Sequence, residues 1–194
     1  MENKLLAEGS NLLVLVPVVA SILLAVAGYI FTYFHKRRVD ARAARLDRVN
    51  LQLRKLYGPL YAREKAGKAV WAAFKENFWP AHGQPDYFGG ETSEKEEATW
   101  RLWMKEVFHP LNVQIEKTIL ENIDLLEGGE FPAEFINAIA HVNSYKAIIK
   151  QWEEGDYSQH WAVCPYPRDM LPKIVEHVYR ELLKEQRTLI LGTK

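Results

Sequence analysis

The chain carries near its start an uncharged apolar run that limits what its first part can become. From Leu12 to Phe34 the 23 residues LLVLVPVVASILLAVAGYIFTYF contain no charged side chain. A helix over this run is about 34 Å long, which is enough to cross a hydrocarbon core of about 30 Å. Tyr29 and Tyr33 lie towards its end, where an interfacial aromatic belt is expected. We therefore predict a transmembrane helix over residues 12–34, after a short N-terminal tail of residues 1–11.

A cleaved signal peptide is the competing interpretation of the same run. Ala25-Val26-Ala27 resembles a small-x-small cleavage site. However, the N-terminal flank combines Lys4 with the acids Glu2 and Glu8, and the strong positive cluster follows the apolar run instead of preceding it. Apolar character also continues past the possible cut to Phe34. These features favour an uncleaved anchor.

A basic neck, residues 35–50, follows the apolar run directly. Between His35 and Lys55, eight basic residues face only Asp40 and Asp47, so the local net charge is +6. The neck orients the span, with the short N-terminus outside and residues 35–194 on the cytoplasmic side, or on the matrix or stroma side in an organelle. It also provides a predicted contact with anionic headgroups at the membrane surface, and the two roles are compatible. The residues of that contact are Lys36, Arg37, Arg38, Arg42 and Arg45.

Charge and cysteine content exclude some partners. The chain has 25 basic and 25 acidic residues, a balance that argues against bulk nucleic-acid binding. Residues 91–134 nevertheless hold eleven acids and four bases, a net charge of −7. Cys164 is the single cysteine, so no intrachain disulfide can form, and no N-glycosylation sequon occurs. Both facts fit a reducing compartment.

Residues 51–194 show four segments with helical spacing of apolar residues and no convincing strand. The first runs from the neck to about Phe78. The second begins at a capping box, Ser93 to Glu96, and is expected to end at Gly128-Gly129. The third opens at Pro132 and closes near Gly155, and the fourth presents the apolar face Leu171, Val175, Val178, Leu182 and Leu189. We predict an all-α fold: a transmembrane helix followed by an antiparallel four-helix bundle.

Two helices contain a proline in a similar setting, LYGPL at 56–60 and VFHPL at 107–111. Pro59 lacks the amide that would bond to the carbonyl of Lys55, and Pro110 does the same to Glu106. Each loss costs about 3 kcal/mol or more in a straight helix. We therefore predict proline-kinked first and second helices, with the kinks at Gly58, Pro59 and Pro110.

Catalytic and metal-binding motifs are scarce. A Glu-x-x-His pair of the kind used in di-iron bundles occurs once, at Glu106 and His109, whereas His141 and His177 lack the acid three residues before them. Cys164 has no orienting acid at a telling spacing, and no phosphate-binding glycine loop is present. We predict no metal site, no cofactor and no catalytic residue.

Four polar residues lie at or beside the apolar seams: Glu64, Asn112, His141 and Tyr145. If packed together, they would line a small pocket in which a carboxylate tunes a histidine. The plainer alternative is that Glu64 pairs with Lys68 one turn on, while His141 and Asn112 make interhelical hydrogen bonds. The sequence leaves both interpretations open.

Several motifs resemble those of a mostly bacterial group of predicted single-span, membrane-anchored helical proteins of uncharacterised activity. They are LYGPL, W-x-x-W-M-x-x-V-F-x-P-L-N at 100–112, H-V-x-x-Y at 141–145, W-x-x-G-D at 152–156, and Tyr-Pro before the last helix. The resemblance covers roughly residues 50–190. It implies one helical domain behind an anchor, and it brings no ligand or catalytic residue.

These patterns favour a membrane-anchored interaction or scaffold module. Its expected partners are the lipid bilayer and other membrane or membrane-associated proteins, contacted through the acidic second helix or the loops 79–93 and 156–168; no nucleic-acid partner is expected. A small-molecule or metal-binding regulatory domain using the polar pocket is the alternative, and an enzyme lacks any motif. The sequence leaves the oligomeric state open.

Overall fold

The computed structural model describes residues 2–80, 83, 85–126 and 130–192, with side chains from residue 17 onward. The chain is 79% helical and the described residues form no strand, so the fold class is all-α, as predicted. Six α-helices occur in these ranges: α1 Glu2–Leu51, α2 Gly58–Phe78, α3 Glu94–Trp103, α4 His109–Leu120, α5 Ala133–Glu153 and α6 Met170–Leu191. Two π-helical segments and one 3-10 turn join them: π1 Gln52–Tyr57, π2 Met104–Phe108 and Ile123–Leu125.

The chain divides into two compact units, Met1–Asp47 and Arg48–Lys194. The second unit begins three residues before the predicted boundary at residue 51, because Val49 is fully buried in its core. Arg48 also belongs to this unit, since its guanidinium donates to the carbonyl oxygens of Asp124 and Leu126 at 3.2 and 3.3 Å.

The first unit is helical from Glu2, so residues 2–11 of the predicted tail belong to α1. The helix that contains the apolar run is long and apolar enough to cross a membrane by length and composition. From Val18 to Phe34 its side chains are exposed. Two hydroxyls in this stretch are satisfied within the helix: Ser21 donates to the carbonyl of Pro17 at 2.7 Å, and Thr32 donates to that of Gly28 at 2.8 Å. Such internal bonding suits a segment in contact with lipid.

Both prolines of the repeated motif follow a π-helical segment. The amide of Gly58 donates to the carbonyl of Leu53, five residues before it, and the amide of His109 donates to that of Met104. Each π-segment ends one residue before the residue pair that contains the proline, so Pro59 and Pro110 fall in the first turn of α2 and α4, the part of a helix where proline is best tolerated. The predicted interruption therefore takes the form of a widened turn. The kink angles stay a prediction.

The backbone leaves no room for a side chain at Gly58, the residue that directly follows π1. A Cβ at this residue would lie 2.2 Å from the carbonyl oxygen of Leu53, a contact that no folded backbone tolerates. At π2 the equivalent donor, His109, carries a side chain, so the close approach is particular to π1. Gly67 is a matched position in α2, where a Cβ would meet only the end of the Leu111 side chain at 3.1 Å.

Alanine at Gly58 is therefore expected to lower the free energy of unfolding by about 1–3 kcal/mol, the usual cost of forcing extra atoms into a packed site. Alanine at Gly67 should change it little, because the gain in helix propensity offsets a small side-chain shift. Denaturant unfolding of the full chain in detergent, followed by tryptophan fluorescence, measures both variants. Equal effects of the two substitutions would contradict the constraint at π1.

Two hydrophobic clusters make up the core of the second unit. The first core is mainly aliphatic and draws on the end of α1, π1, α2, α4, the 3-10 turn, α5 and α6; its fully buried members include Val49, Leu56, Leu60, Ile119, Phe135, Leu171 and Val175. The second core is mainly aromatic and consists of Phe74, Tyr87, Trp100, Met104, Phe108, Tyr145, Ile148 and Trp152. All buried residues of α6 belong to the first core, so this helix does not supply the cover of the second.

Helix ends follow local chemistry at some points and tertiary contacts at others. The capping box is confirmed: the Ser93 hydroxyl accepts from the amide of Glu96, whose carboxylate accepts from the amide of Ser93. By contrast, α4 ends at Leu120, well before the predicted Gly128-Gly129, which lie outside the described residues. The 3-10 turn that follows is held by Arg48 and by buried Gln52, whose amide donates to the carbonyl of Leu125 at 2.8 Å. These long-range bonds favour an early end to the helix.

Candidate functional site

A group of buried polar side chains bonds to the segment that joins α5 to α6. We call this segment, residues 156–169, the strap. It has no regular secondary structure, and its Ala162 packs against the second core. Since α6 packs on the first core, the strap is the part of the α5–α6 region that covers the second.

Buried donors from α3 and α5 hold the backbone of the strap. The indole of Trp152 donates to the carbonyl of Gln159 at 2.8 Å. The carbonyl of His160 accepts twice, from the indole of Trp100 and from the hydroxyl of Tyr145, both at 3.1 Å. These bonds hold the backbone of the strap, and they satisfy the polar tips of three large core side chains.

A fourth buried side chain, His141, bonds to the strap through its Nδ1, 2.8 Å from the carbonyl oxygen of Cys164. Because a carbonyl oxygen can only accept, His141 must carry a proton on Nδ1. Burial lowers the pKa of His141 to about 4, and the positive charge of Arg168 and the nearby His109 act in the same direction, against the bond to Cys164. His141 is thus neutral at pH 7.

Glu64 of α2 reaches the strap through Tyr166, whose hydroxyl donates to the carboxylate Oε1. Glu64 is 8% exposed, and this burial raises its pKa, while the bond from Tyr166 opposes the increase. Burial and the neighbouring carboxyl group both raise the pKa of Tyr166, which keeps the phenol protonated as the donor. The carboxyl group therefore depends on one residue, 102 positions away in sequence, for its hydrogen bond.

The rings of this region pack directly against one another. The centroid of His141 lies 5.0 Å from that of Tyr145 and 5.3 Å from that of Tyr166, both in edge-to-face geometry. Burial also raises the pKa of Tyr145, so its hydroxyl stays protonated at neutral pH. In the polar cluster of Glu64, His141, Tyr145 and Tyr166, the His141 ring therefore packs on both tyrosines, and the Glu64 carboxyl group is hydrogen-bonded to Tyr166.

Three of the four residues predicted for a polar pocket meet in this cluster: Glu64, His141 and Tyr145. Asn112 is half-buried on α4, and its side chain makes no hydrogen bond to the other three within the described chain. The structure also differs from the second interpretation, in which Glu64 pairs with Lys68 and His141 bonds to another helix. Glu64 bonds to Tyr166 and forms no ion pair with Lys68 in the described ranges, while His141 bonds to a loop carbonyl instead of another helix.

Sequence reasoning missed the residues that organise the cluster from the strap side. In the sequence motifs, Tyr166 occurs only in the Tyr-Pro pair before the last helix, and Trp100 and Trp152 only as the first residues of W-x-x-W and W-x-x-G-D. The available signal was the density of aromatic and histidine residues in GDYSQHWAVCPYPRD, which is unusual for a solvated loop. Nothing local indicated that their partners would be main-chain carbonyls.

The arrangement suits support of the strap better than chemistry on a ligand. Over the described ranges, no group of three His, Cys, Asp or Glu side chains is placed to hold a metal ion. The His141 ring is flanked by tyrosines at packing distance, and its Nδ1 is engaged with the main chain. Comparisons of the chain with protein-family models, curated proteins and solved structures found no match.

Acid is expected to weaken the fold through His141. The pKa of His141 is about 4 in the folded protein and 6.5 in the unfolded chain, so the unfolded state binds more protons in between. The stabilisation is complete above pH 6.5 and is lost as pH falls to about 4, by roughly 3 kcal/mol in all. Burial lowers the pKa of His109 and His160 too, which adds to this slope, whereas the raised pKa of Glu64 acts in the opposite sense.

Unfolding free energies between pH 4 and 7 for the wild type and His141→Gln measure this contribution. The variant should show a clearly shallower acid slope, and the same substitution at His177, which is exposed on α6, should not. A wild-type slope retained by His141→Gln would contradict the assignment.

The bond between Tyr166 and Glu64 is expected to couple the strap to α2. Tyr166→Phe leaves a buried carboxyl group without its donor and should cost about 1–3 kcal/mol. In the double variant with Glu64→Leu, which has no acceptor, the loss should be smaller than the sum of the two single losses, because the same interaction is removed only once. A double-mutant cycle on unfolding free energies gives the coupling, and strict additivity would show that the bond contributes nothing.

Proposed function

We propose that the protein is a single-span membrane anchor that holds a helical interaction module at the membrane surface. The observation that carries the proposal is the character of α1. In one continuous helix, an exposed apolar stretch that ends at Phe34 is followed directly by exposed cations from Lys36. In water such a stretch would leave many large apolar side chains unburied, whereas a bilayer accommodates them.

The proposed orientation follows from the position of the cations. The basic residues lie on the C-terminal side of the apolar stretch, and basic flanks remain on the cytoplasmic side of membranes. The second unit is then cytoplasmic, or on the equivalent side of an organelle, and the N-terminus lies outside.

We further infer that the second unit is an antiparallel four-helix bundle. Contacts between α2 and α6 support this, because residue numbers rise in one helix as they fall in the other: Tyr61 stacks on Tyr179 at 4.6 Å, and Lys65 pairs with Glu176 at 2.8 Å. The α4–α5 contacts follow the same trend. Glu116 accepts from Asn143, while His109 at the start of α4 lies 6.4 Å from Tyr145, ring centre to ring centre.

The interaction role is assigned to the strap. Val163 is 84% exposed, and Trp161 and Tyr157 are also exposed, while buried donors hold the carbonyls of neighbouring strap residues. A surface fixed in this way loses little conformational entropy on binding, and tryptophan and tyrosine contribute strongly to protein interfaces. The partners would be other membrane or membrane-associated proteins.

Affinity purification of the full chain from detergent-solubilised membranes tests this role. A near-stoichiometric partner should be recovered with the wild type, be lost with Trp161→Ser/Val163→Ser, and persist with Leu102→Ser/Leu120→Ser, which removes apolar groups of similar exposure elsewhere. Recovery of the same partner with both double variants would contradict the assignment to the strap.

The alternative, a small-molecule or metal-binding regulatory domain, draws less support. It needs room between His141 and its neighbours, whose rings are already in contact, and a set of metal ligands that is absent from the described part of the chain. We therefore propose that the role of the polar cluster is to hold the strap in place.

A further inference from the structure

The basic residues at the start of the neck differ from those further along it in whether their side chains have partners. Lys36, Arg37 and Arg38 are exposed, and none of them forms an ion pair or a hydrogen bond with another described residue through its side chain. Arg42 and Arg45 already take part in interactions. The five residues predicted to touch the membrane surface thus fall into two groups, of which only the first three have uncommitted charges.

Position along α1 separates the same two groups. A helix rises about 1.5 Å per residue, so residues 36–38 lie about 3 to 6 Å beyond Phe34. The headgroup region of a bilayer is about 5 to 8 Å thick on each side of the hydrocarbon core. By the same arithmetic Arg42 lies about 12 Å beyond Phe34, outside this layer. The nearest acid, Asp40, is about 9 Å beyond Phe34, so the layer holds three positive charges and no negative one.

The three cations also point in different directions around α1. Consecutive residues point about 100° apart, so three of them in succession face three different sides of α1. His35 does not compete with them, because its ring stacks on Phe31 at 6.1 Å, back along the apolar stretch. A guanidinium presents paired donors to phosphate oxygens, and an ammonium adds a compact positive charge.

We propose that Lys36, Arg37 and Arg38 form a ring of cations that selects anionic phospholipids around the helix in the leaflet on the neck side. This inference rests on the proposed transmembrane placement and names the lipid partner of the anchor. Each of the three residues contacts the headgroup of a different neighbouring lipid. The selection is electrostatic, so it weakens as salt is added.

The test uses the purified full chain reconstituted in phosphatidylcholine vesicles that contain a trace of spin-labelled lipid. Electron paramagnetic resonance measures the fraction of label slowed by the protein, for phosphatidylglycerol and phosphatidylcholine labels in turn. We expect phosphatidylglycerol to associate at least about fivefold more strongly, the factor that one basic residue near an anionic surface provides. The preference should fall in high salt.

Three variants locate the effect. In Lys36→Gln/Arg37→Gln/Arg38→Gln the two labels should associate equally. In Arg37→Lys/Arg38→Lys the charges are kept, and most of the preference should remain. A matched control, Lys68→Gln/Lys173→Gln/Arg187→Gln, removes three exposed charges from the second unit and should leave the preference unchanged.

The outcomes separate this inference from the proposed function. If the wild type integrates into the vesicles but slows both labels equally, or if the neck variant keeps the full preference, the cation ring is wrong and the anchor stands. If the wild type does not integrate into any vesicle, both are overturned. Resistance of the vesicle-bound protein to carbonate extraction decides which case applies.

Discussion

Arginine at both Leu23 and Leu24 is expected to release the protein from membranes. These residues lie near the centre of the apolar stretch and are 63% and 74% exposed, so the new charges would face lipid. Each arginine at the centre of a membrane helix costs about 2.5–3.5 kcal/mol on insertion scales, and two cost roughly 5–7 kcal/mol. We expect the wild type in the carbonate-resistant membrane fraction and the double variant in the supernatant or degraded.

A matched control separates membrane insertion from general damage to the fold. Leu102 in α3 and Leu120 in α4 are 59% and 51% exposed in the second unit. Leu102→Arg/Leu120→Arg introduces the same charges at similarly exposed leucines and should leave the protein in the membrane fraction. If Leu23→Arg/Leu24→Arg also remains membrane-bound, α1 is not the anchor.

Truncation of Phe74 is expected to be the most damaging single change in the second unit. The Phe74 ring is fully buried and lies 5.4 to 5.9 Å, centroid to centroid, from six aromatic neighbours: Trp71, Phe78, Tyr87, Trp100, Trp103 and Phe108. Phe74→Ala removes these contacts and leaves a cavity at the centre of the second core, which costs about 3–5 kcal/mol in well-packed interiors. Denaturant unfolding in detergent should show the midpoint falling accordingly.

Phe78, one turn further along α2, provides the control for this prediction. It is 40% exposed, and among the described residues its ring pairs with two aromatic rings, those of Phe74 and Trp103, so alanine there leaves no closed cavity. We expect Phe78→Ala to cost about 1 kcal/mol or less, because the solvent already reaches the site. All six tryptophans lie at residue 71 or beyond, so their fluorescence reports the second unit alone. Similar losses for Phe74→Ala and Phe78→Ala would contradict the description of the second core.

Local patterns predicted the features of the chain that depend on neighbouring residues. The apolar run predicted a helix that can span a membrane, and the capping box at Ser93 predicted the start of α3, because both depend on a few adjacent side chains. The spacing of Leu171, Val175 and Leu182 likewise predicted the buried face of α6. Gly58-Pro59 predicted an interrupted helix, although sequence spacing alone could not distinguish a kink from a π-helical segment.

Features that depend on contacts between residues far apart in sequence could not be predicted from the sequence. α4 ends at Leu120, and the carbonyls of the next turn bind Arg48 and Gln52, residues more than 70 positions before those carbonyls. Glu64 is bonded by Tyr166 across 102 positions, and His141 by a main-chain carbonyl, which no side-chain pattern encodes. Glu64, His141 and Tyr145 all bond to the strap, and this common partner could not be found before the fold was known.

The side of the membrane on which the second unit lies is the most direct test of the proposed anchor and its orientation. In a Cys164→Ser background, Lys173→Cys adds a single thiol at an exposed position of α6. A membrane-impermeant maleimide is applied to intact spheroplasts of a bacterial expression host and to inside-out vesicles. We predict labelling in inside-out vesicles and in detergent, and none in intact spheroplasts. Labelling in intact spheroplasts would contradict the orientation, and loss of the protein from carbonate-washed membranes would contradict the anchor.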